Sequence, residues 1–135
     1  MSTVIQPEGW AKPSGYSNGI VASGKLLFVA GTIGWNPKDA TPSIPATMGF
    51  VEQFDQALLN ICEVVRTAGG KPEHITRLTI YVTDKKEYLG NLKAVGAAWK
   101  KHLGRHYPAV ALLQIAALVD DNAKVEIEAT AVLES

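Results

Sequence analysis

Two long segments of the chain place apolar residues at three- and four-residue steps, the spacing of an amphipathic helix. In the first segment these residues are Val51, Phe54, Leu58, Ile61, Cys62 and Val65. Polar residues fall on the other side. We predict a helix that opens near Ser43 and Pro45 and ends at the Gly-Gly-Lys-Pro stretch of 69–72.

The second helical segment follows Asp84, and Glu87 stands three residues later in a capping-box arrangement. Its apolar positions are Tyr88, Leu92, Val95 and Trp99, and we expect it to end before Gly104 and Pro108. The lysines of this segment are interpreted as a solvated face rather than a basic binding patch. They are Lys85, Lys86, Lys93, Lys100 and Lys101.

The intervals between the helices are rich in β-branched and aromatic residues and predict strands. Residues 17–34 hold two such runs around a Ser-Gly-Lys turn at 23–25, which predicts a hairpin. Residues 74–84 alternate like a half-buried strand. Residues 109–119 and 123–133 are predicted to be the last two strands, joined by a tight turn at 120–122. The predicted order in one domain, 1–135, is strand, strand, helix, strand, helix, strand, strand.

The segment YPAVALLQIAAL, residues 107–118, is apolar on both sides of a strand, since only Gln114 is polar after the tyrosine. Two helices cover only one face of a mixed sheet of five to six strands, so the other face needs a cover. Another copy of the chain, packed face to face around a symmetry axis, is the interpretation that we prefer. The alternative is a monomeric closed barrel, which two long helices on one face suit poorly.

Composition narrows the possible partners. The chain has 135 residues with 13 basic and 13 acidic side chains, so no basic field attracts nucleic acid. We also expect no membrane partner, because the apolar runs are too short to span a bilayer. The absence of a secretion signal in the first ten residues and the lone Cys62, interpreted as a buried packing thiol, favour the cytoplasm. Three scattered histidines, at positions 74, 102 and 106, predict no metal site.

Three segments together, in their order and spacing, resemble the reactive-intermediate deaminase family, also called RidA or YjgF and formerly L-PSP endoribonuclease. They are SGYSNGIVASGKLLFVAGTIGWNP, QALLNICEVVRTAGGKPEHITRLTIYVTD, and YPAVALLQIAAL with VEIEATAV. The resemblance covers about 14–133. It implies a chorismate-mutase-like α+β fold, assembled as a homotrimer with small-molecule ligand clefts between subunits. Family members of known activity hydrolyse enamines and imines to ketones and ammonia without a cofactor.

The resemblance also implies a site made of Tyr16, the backbone at Gly31 and Thr32, the strand residue at 110, and Glu126. In that role Glu126 would orient the attacking water and take its proton. From the strand pattern alone, two solvent-facing carboxylates are the favoured interpretation of Glu126 and Glu128, and only the resemblance reverses this for Glu126. Tyr16 either caps the cleft or packs at a loop end, and Gly31 either permits a strained backbone or lets a ligand approach.

The chain departs from the deaminating members at Val110, where those members have an arginine that binds the substrate carboxylate. Valine offers no hydrogen bond and makes burial of an anion unfavourable. Either Arg105 or Arg77 could replace the missing guanidinium. Otherwise Val110 and Leu112 form an apolar cleft, with Trp35 either in its wall or packed on the N-terminal segment, and this cleft suits a ligand with an aromatic or aliphatic body.

Two functions follow from this departure. The first is a deaminase-like hydrolase acting on an imine or enamine other than 2-aminoacrylate. The second is a non-catalytic trimer that binds a small metabolite. A ribonuclease is not supported, because the chain is neutral and has no paired catalytic histidines.

Overall fold

The computed structural model describes residues 2–134, which form six strands, three helices and a short 3₁₀ turn at Pro72–His74. The strands are β1 Ser2–Ile5, β2 Gly19–Ala22, β3 Lys25–Ile33, β4 Ile75–Val82, β5 Ala109–Gln114 and β6 Val125–Leu133. The helices are α1 Phe50–Thr67, α2 Lys85–Leu89 and α3 Leu92–Leu103. The predicted α+β class is therefore confirmed.

The main sheet has four strands in the order β3-β6-β4-β5, and not the five to six predicted, because β1 and β2 do not join it. Only β4 and β5 run parallel; the pairs β3 with β6 and β4 with β6 are antiparallel, so the sheet is mixed, as predicted. β1 and β2 form a separate antiparallel pair. Because parallel neighbours need a crossover, α2 and α3 carry the chain from the end of β4 to the start of β5.

The core lies between this sheet and the helices. Its sheet side is formed by alternate residues of β4 and β6, all at most 2 % exposed, namely Ile75, Leu78, Ile80, Val82, Val125, Ile127 and Ala131, with Ala129 at 6 %. The apolar stripe of α1 predicted from its spacing faces them, and α3 adds Val95 and Trp99. Cys62 is fully buried in this core, and its burial raises the pKa of the thiol, as a packing role requires.

The predicted hairpin over 17–34 is wrong, because β2 pairs with β1 and β3 pairs with β6. At the junction Gly24 has a φ of 148°, and a Cβ atom there would lie 1.9 Å from the carbonyl oxygen of Leu133. The Ser-Gly-Lys sequence therefore does not form a two-residue hairpin turn. It lets the chain pass against the end of β6 and move from one sheet to the other.

The predicted pairing of the last two strands is also wrong. β4 lies between β5 and β6, and β5 ends at Gln114 rather than near residue 119. The amide of Ile115 still donates to the carbonyl of Val82, at 2.9 Å, but the chain then leaves the sheet. The polar residues at 120–122 do form a local turn, in which Asp120 accepts hydrogen bonds from the amides of Asn122 and Ala123. That turn closes a longer loop and not a hairpin.

Both predicted helices are present, but in each of them one predicted feature of its extent is wrong. α1 begins at Phe50 and not near Ser43, since the preceding residues form a turn in which Met48 donates to the carbonyl of Pro45. The second helix does start after Asp84, whose carboxylate accepts from the amide of Lys86 at 2.9 Å. It breaks at residues 90 and 91, which divide it into α2 and α3.

The face of the main sheet away from the helices is uncovered in the single chain, and we call it the open face. On β3, at one edge of the sheet, Phe28 is 73 % and Leu26 is 61 % exposed there. On β5, at the other edge, Ala111 and Leu113 are exposed on the same face. β5 is therefore covered on one side only. The second apolar side that its sequence predicts meets no cover within the described chain.

Candidate functional site

A cavity of about 640 Å³ lies on the helix side of β5. Val110 and Leu112 point into it from the strand, while Trp99 and Leu92 close it from α3. Tyr16 and Tyr107 stand on the loops around it. Three of the predicted site residues, Tyr16, Val110 and Leu112, are thus brought together in one cavity.

Two hydrogen bonds hold the Tyr16 loop against the start of β5. The Ser17 hydroxyl donates to the carbonyl of Tyr107, and the Ser17 amide donates to the carbonyl of Pro108 at 3.0 Å. Ser17 and Pro108 are both buried, although Ser17 lies outside any strand. These bonds fix Tyr16, itself 42 % exposed, at the edge of the cavity.

Glu126 and Gly31 meet on the other face of the sheet, the open face. Glu126 alternates with the buried Val125 and Ile127, so its side chain points away from the helices. A Cβ atom at position 31 would lie 2.8 Å from Oε2 of Glu126. Gly31 does not have a positive φ, so the prediction of a strained backbone is wrong. The glycine instead leaves room for the carboxylate at an irregularity in the β3–β6 pairing.

The two glutamates of β6 have different surroundings. The Tyr81 hydroxyl donates a 2.6 Å hydrogen bond to Oε1 of Glu128, and this bond raises the pKa of Tyr81. Among residues 2–134, no group donates a hydrogen bond to the carboxylate of Glu126. Glu128 therefore already accepts a hydrogen bond from within the chain, whereas the carboxylate oxygens of Glu126 can accept hydrogen bonds from a ligand or water.

Thr32 and Trp35 lie in a third place, beside the outer surface of α1. They line a shallow depression of about 570 Å³ together with Asn60 and Val64. Asn60 fixes the loop by donating to the carbonyls of Ile33 and Trp35, at 3.3 and 2.9 Å. The Trp35 side chain packs on the small core cluster of Ile33 and not on the N-terminal segment.

The predicted site residues thus occupy three separate places in one chain. Val110 and Glu126 lie on opposite faces of the sheet, because Val110 packs on the main core and Glu126 points to the open face. Neither candidate arginine reaches the cavity of Val110. Arg105 is exposed and does not line it, and Arg77 lies on the open face in a smaller recess with Glu128 and Thr79.

The aromatic and helical lining of the cavity was missed by the sequence reasoning. Trp99 and Tyr107 have nearly parallel rings, 10° apart with centroids separated by 6.3 Å. Tyr88 and Gly96 complete the wall from α2 and α3. A signal for this surface was available, since Gly96 interrupts an otherwise regular amphipathic helix.

One further cluster of titratable groups joins the two long helices. His102 Nε2 lies 2.5 Å from Oδ1 of Asp55, and Lys101 donates to Oδ2 at 3.2 Å. The arrangement is an interhelical contact whose residues do not line the cavity. Over residues 2–134, no group of three or more potential metal ligands is close enough to hold an ion, and no helix is long and apolar enough to cross a membrane.

Comparison with known proteins places this arrangement in a family. The family model described as Endoribonuclease L-PSP matches residues 10–133. A goat 2-iminobutanoate/2-iminopropanoate deaminase is 31 % identical over 117 residues, covering 87 % of this chain and 79 % of the relative. The Drosophila melanogaster RutC family protein UK114 is 30 % identical, covering 97 % of this chain and 92 % of that protein.

Solved structures agree with the sequence comparison. The Rid-family protein YyfB from Yersinia pestis is 31 % identical, with a TM-score of 0.82 over 98 % of both chains. The YjgF product of E. coli is 33 % identical, with a TM-score of 0.65 over 87 % of both chains. The chain belongs to the RidA/YjgF family, the family of the L-PSP model, as its sequence segments predicted.

Proposed function

We propose that this protein is a deaminase-like hydrolase of an imine or enamine, with a substrate other than 2-aminoacrylate. The observation that carries the proposal is the Glu126 carboxylate, which accepts no hydrogen bond from residues 2–134 and lies against the backbone at Gly31. The goat relative's name, a 2-iminobutanoate/2-iminopropanoate deaminase, supports the same reaction class. The mechanism requires no cofactor.

In the proposed mechanism Glu126 accepts a proton from water while the water oxygen attacks the electrophilic carbon of the C=N bond. The proton is returned to nitrogen, and the resulting amino alcohol collapses to a carbonyl compound and ammonia. The backbone at Gly31 and Thr32 holds the polar end of the substrate. Glu126 is the only one of these groups that must change its protonation state.

The proposed active form is a homotrimer with its ligand clefts between subunits. The open face supports it, since Phe28 and Leu26 are exposed at 73 % and 61 % and β5 lacks a cover on that side. The separation of Val110 from Glu126 within one chain also supports it, because a cleft between copies can bring the cavity of one copy to the carboxylate of another. Trp35 is then a wall of the same cleft.

The proposed substrate differs from the small imino acids because the cavity at Val110 offers no cation. A carboxylate buried there would lose its hydration without gaining a partner. We therefore propose a substrate that is neutral, or whose carboxylate lies outside the cavity. Small-molecule ligands are the proposed partners; nucleic acids and membranes are not, and the cytoplasm remains the expected compartment.

A second candidate is a trimer that binds a small metabolite without turning it over. The specific observation in its favour is that the cavity contains none of the proposed catalytic groups, since Glu126 is on the other face of the sheet. In that case the cavity alone would define the function.

The test is ammonia release from freshly generated imines, measured for the parent protein, Glu126→Gln and Glu128→Gln. Glu128 is the matched control, because it is on the same strand and face but already accepts the Tyr81 hydrogen bond. The proposal expects turnover that falls by about a hundredfold or more in Glu126→Gln and changes little in Glu128→Gln. Equal loss in both variants, or no turnover of any imine that binds, favours the metabolite-binding candidate.

A further inference from the structure

The cavity at β5 carries no charged side chain in its lining. Within residues 2–134 none of the residues around it is an aspartate, glutamate, lysine, arginine or histidine. Its polar side chains are hydroxyls only, those of Ser14, Tyr16, Tyr88 and Tyr107. An anion that enters such a cavity gives up its hydration shell for no opposite charge, whereas a neutral molecule does not incur that cost.

The flat wall of the cavity consists of the parallel rings of Trp99 and Tyr107. The Trp99 indole N–H is already bonded, because it donates to the carbonyl of His106 at 3.0 Å. The indole therefore offers its ring and no free donor. Planar aromatic molecules make their most favourable contacts with surfaces of this kind, by offset stacking or edge-to-face packing.

Gly96 keeps the cavity open from the helix side. It is within α3, where glycine is less favourable than alanine for helix stability, and its φ is not positive, so the backbone does not require a glycine. A Cβ atom at this position would meet nothing within 4 Å, so no neighbouring side chain requires a glycine either. The space that the missing side chain leaves belongs to the cavity.

From these three observations we infer that the cavity is a specificity pocket for an uncharged aromatic group, with Gly96 as the residue that keeps its helix side open. Its volume of about 640 Å³ is within the range of small-molecule sites. The inference rests on the proposed function in one respect: the aromatic group is taken to be part of the imine substrate, and the cavity is taken to be the side of the cleft that binds it. Binding itself is measurable without turnover.

A matched pair of ligands tests the charge requirement. 2-Naphthamide and 2-naphthoate have nearly the same shape and differ in charge at neutral pH. Isothermal titration calorimetry of the assembled protein is expected to show naphthamide binding at least about tenfold more tightly than naphthoate. Equal affinities, or tighter binding of naphthoate, overturn the inference.

A matched pair of variants tests the location. Gly96→Leu places a side chain in the cavity, and Ala97→Leu places the same side chain on the exposed side of the same helix, outside the lining. Naphthamide affinity is expected to fall by about tenfold or more in Gly96→Leu and to stay within about twofold of the parent in Ala97→Leu. Circular dichroism confirms that both variants keep their helices.

The outcomes separate this inference from the proposed reaction. Gly96-dependent naphthamide binding without ammonia release from any imine leaves the pocket assignment standing and removes the hydrolase. Glu126-dependent ammonia release with naphthamide affinity unchanged by Gly96→Leu leaves the hydrolase and removes the pocket assignment. If naphthamide binds only after dilution separates the copies, a segment of a second copy occupies the cavity and the inference is wrong.

Discussion

Gly31 and Glu126 face each other across β3 and β6 so closely that a Cβ atom at position 31 would lie 2.8 Å from Oε2 of the glutamate. The backbone of one residue sets the position of the carboxylate of the other. Because the contact is with the end of a flexible side chain, an added methyl group would move the carboxylate before it disturbed the strands. The pair therefore links the geometry of the sheet to the proposed chemistry.

Gly31→Ala is expected to lower imine hydrolysis by about tenfold or more while the free energy of unfolding changes by about 1 kcal/mol or less. The displaced Glu126 carboxylate is the reason. Steady-state ammonia release and urea unfolding provide the two measurements. Gly19→Ala is the control, since a Cβ atom there makes only an ordinary 3.6 Å contact with Ile5 and should leave activity unchanged. Unchanged hydrolysis in Gly31→Ala would contradict a role for this pair.

The helices of this fold could be predicted from sequence because their signal is local. The stripe from Phe54 to Val65 identifies α1 without knowledge of the rest of the chain, and Asp84 identifies the start of α2 by its own hydrogen bond. The boundary near Ser43 could not be predicted, since the turn at Pro45 competes with helix initiation.

Strand pairing could not be predicted, because it is decided by partners distant in sequence. The sequence around Gly24 predicts a hairpin turn, but the residue that Gly24 contacts is Leu133, near the other end of the chain. The pairing of Leu78 with Val110 likewise depends on the crossover through α3 and not on the turn at Asp120.

The candidate site also has a part that could be predicted from local sequence and a part that could not. The sequence was enough to select the candidate site residues. The contact of Gly31 with Glu126, however, follows only from the pairing of β3 with β6. The separation of Val110 from Glu126 was not predictable, because side-chain direction depends on which face of the sheet the helices cover.

Phe28→Lys is expected to dissociate the proposed homotrimer, because it replaces an apolar side chain of β3 that is 73 % exposed on the open face with a charged one. Val119→Lys is the control, since Val119 is also exposed but lies in the loop before β6, outside the sheet. Sedimentation equilibrium measures the mass of each variant. A parent protein that is monomeric at micromolar concentration would contradict the trimer, and so would a Phe28→Lys variant that assembles as the parent does.

Asp55→Asn is expected to destabilise the protein near neutral pH and to lose this effect in acid. Partial burial raises the pKa of Asp55, but the hydrogen bonds with His102 and Lys101 outweigh it, so the net pKa lies below its usual value of 3.8. A lowered pKa in the folded state means that the ionised carboxylate stabilises the fold above the unfolded pKa, and that this contribution disappears as the pH falls through the folded value.

Urea unfolding of the parent and Asp55→Asn should therefore differ by about 1 kcal/mol or less at pH 7, the scale of a partly exposed ion pair, and converge below about pH 4. Asp121→Asn, in the exposed loop before β6, is the control and should match the parent throughout. A difference between the parent and Asp55→Asn that persists unchanged into acid would assign the effect to packing rather than to the charge.

The parent protein is expected to hydrolyse 2-aminoacrylate weakly or not at all, and Val110→Arg is expected to improve this activity. A guanidinium at position 110 would supply the missing partner for a substrate carboxylate, a gain of about 1 to 3 kcal/mol in transition-state binding, or roughly 5- to 150-fold in rate. The aromatic lining opposes part of this gain, because it offers the new cation no carboxylate of its own.

Two further variants serve as controls for the Val110→Arg experiment. Val110→Met adds length without charge, so a gain shared by both variants would come from bulk and not from the guanidinium. The double variant Val110→Arg with Glu126→Gln should lose the gain, since the arginine binds the substrate while Glu126 activates the water. The assay is ammonia release from 2-aminoacrylate supplied by a coupled dehydratase, after sedimentation confirms the assembly of each variant. A gain that survives Glu126→Gln would contradict the role of this carboxylate, and efficient hydrolysis by the unmodified protein would contradict the argument from Val110.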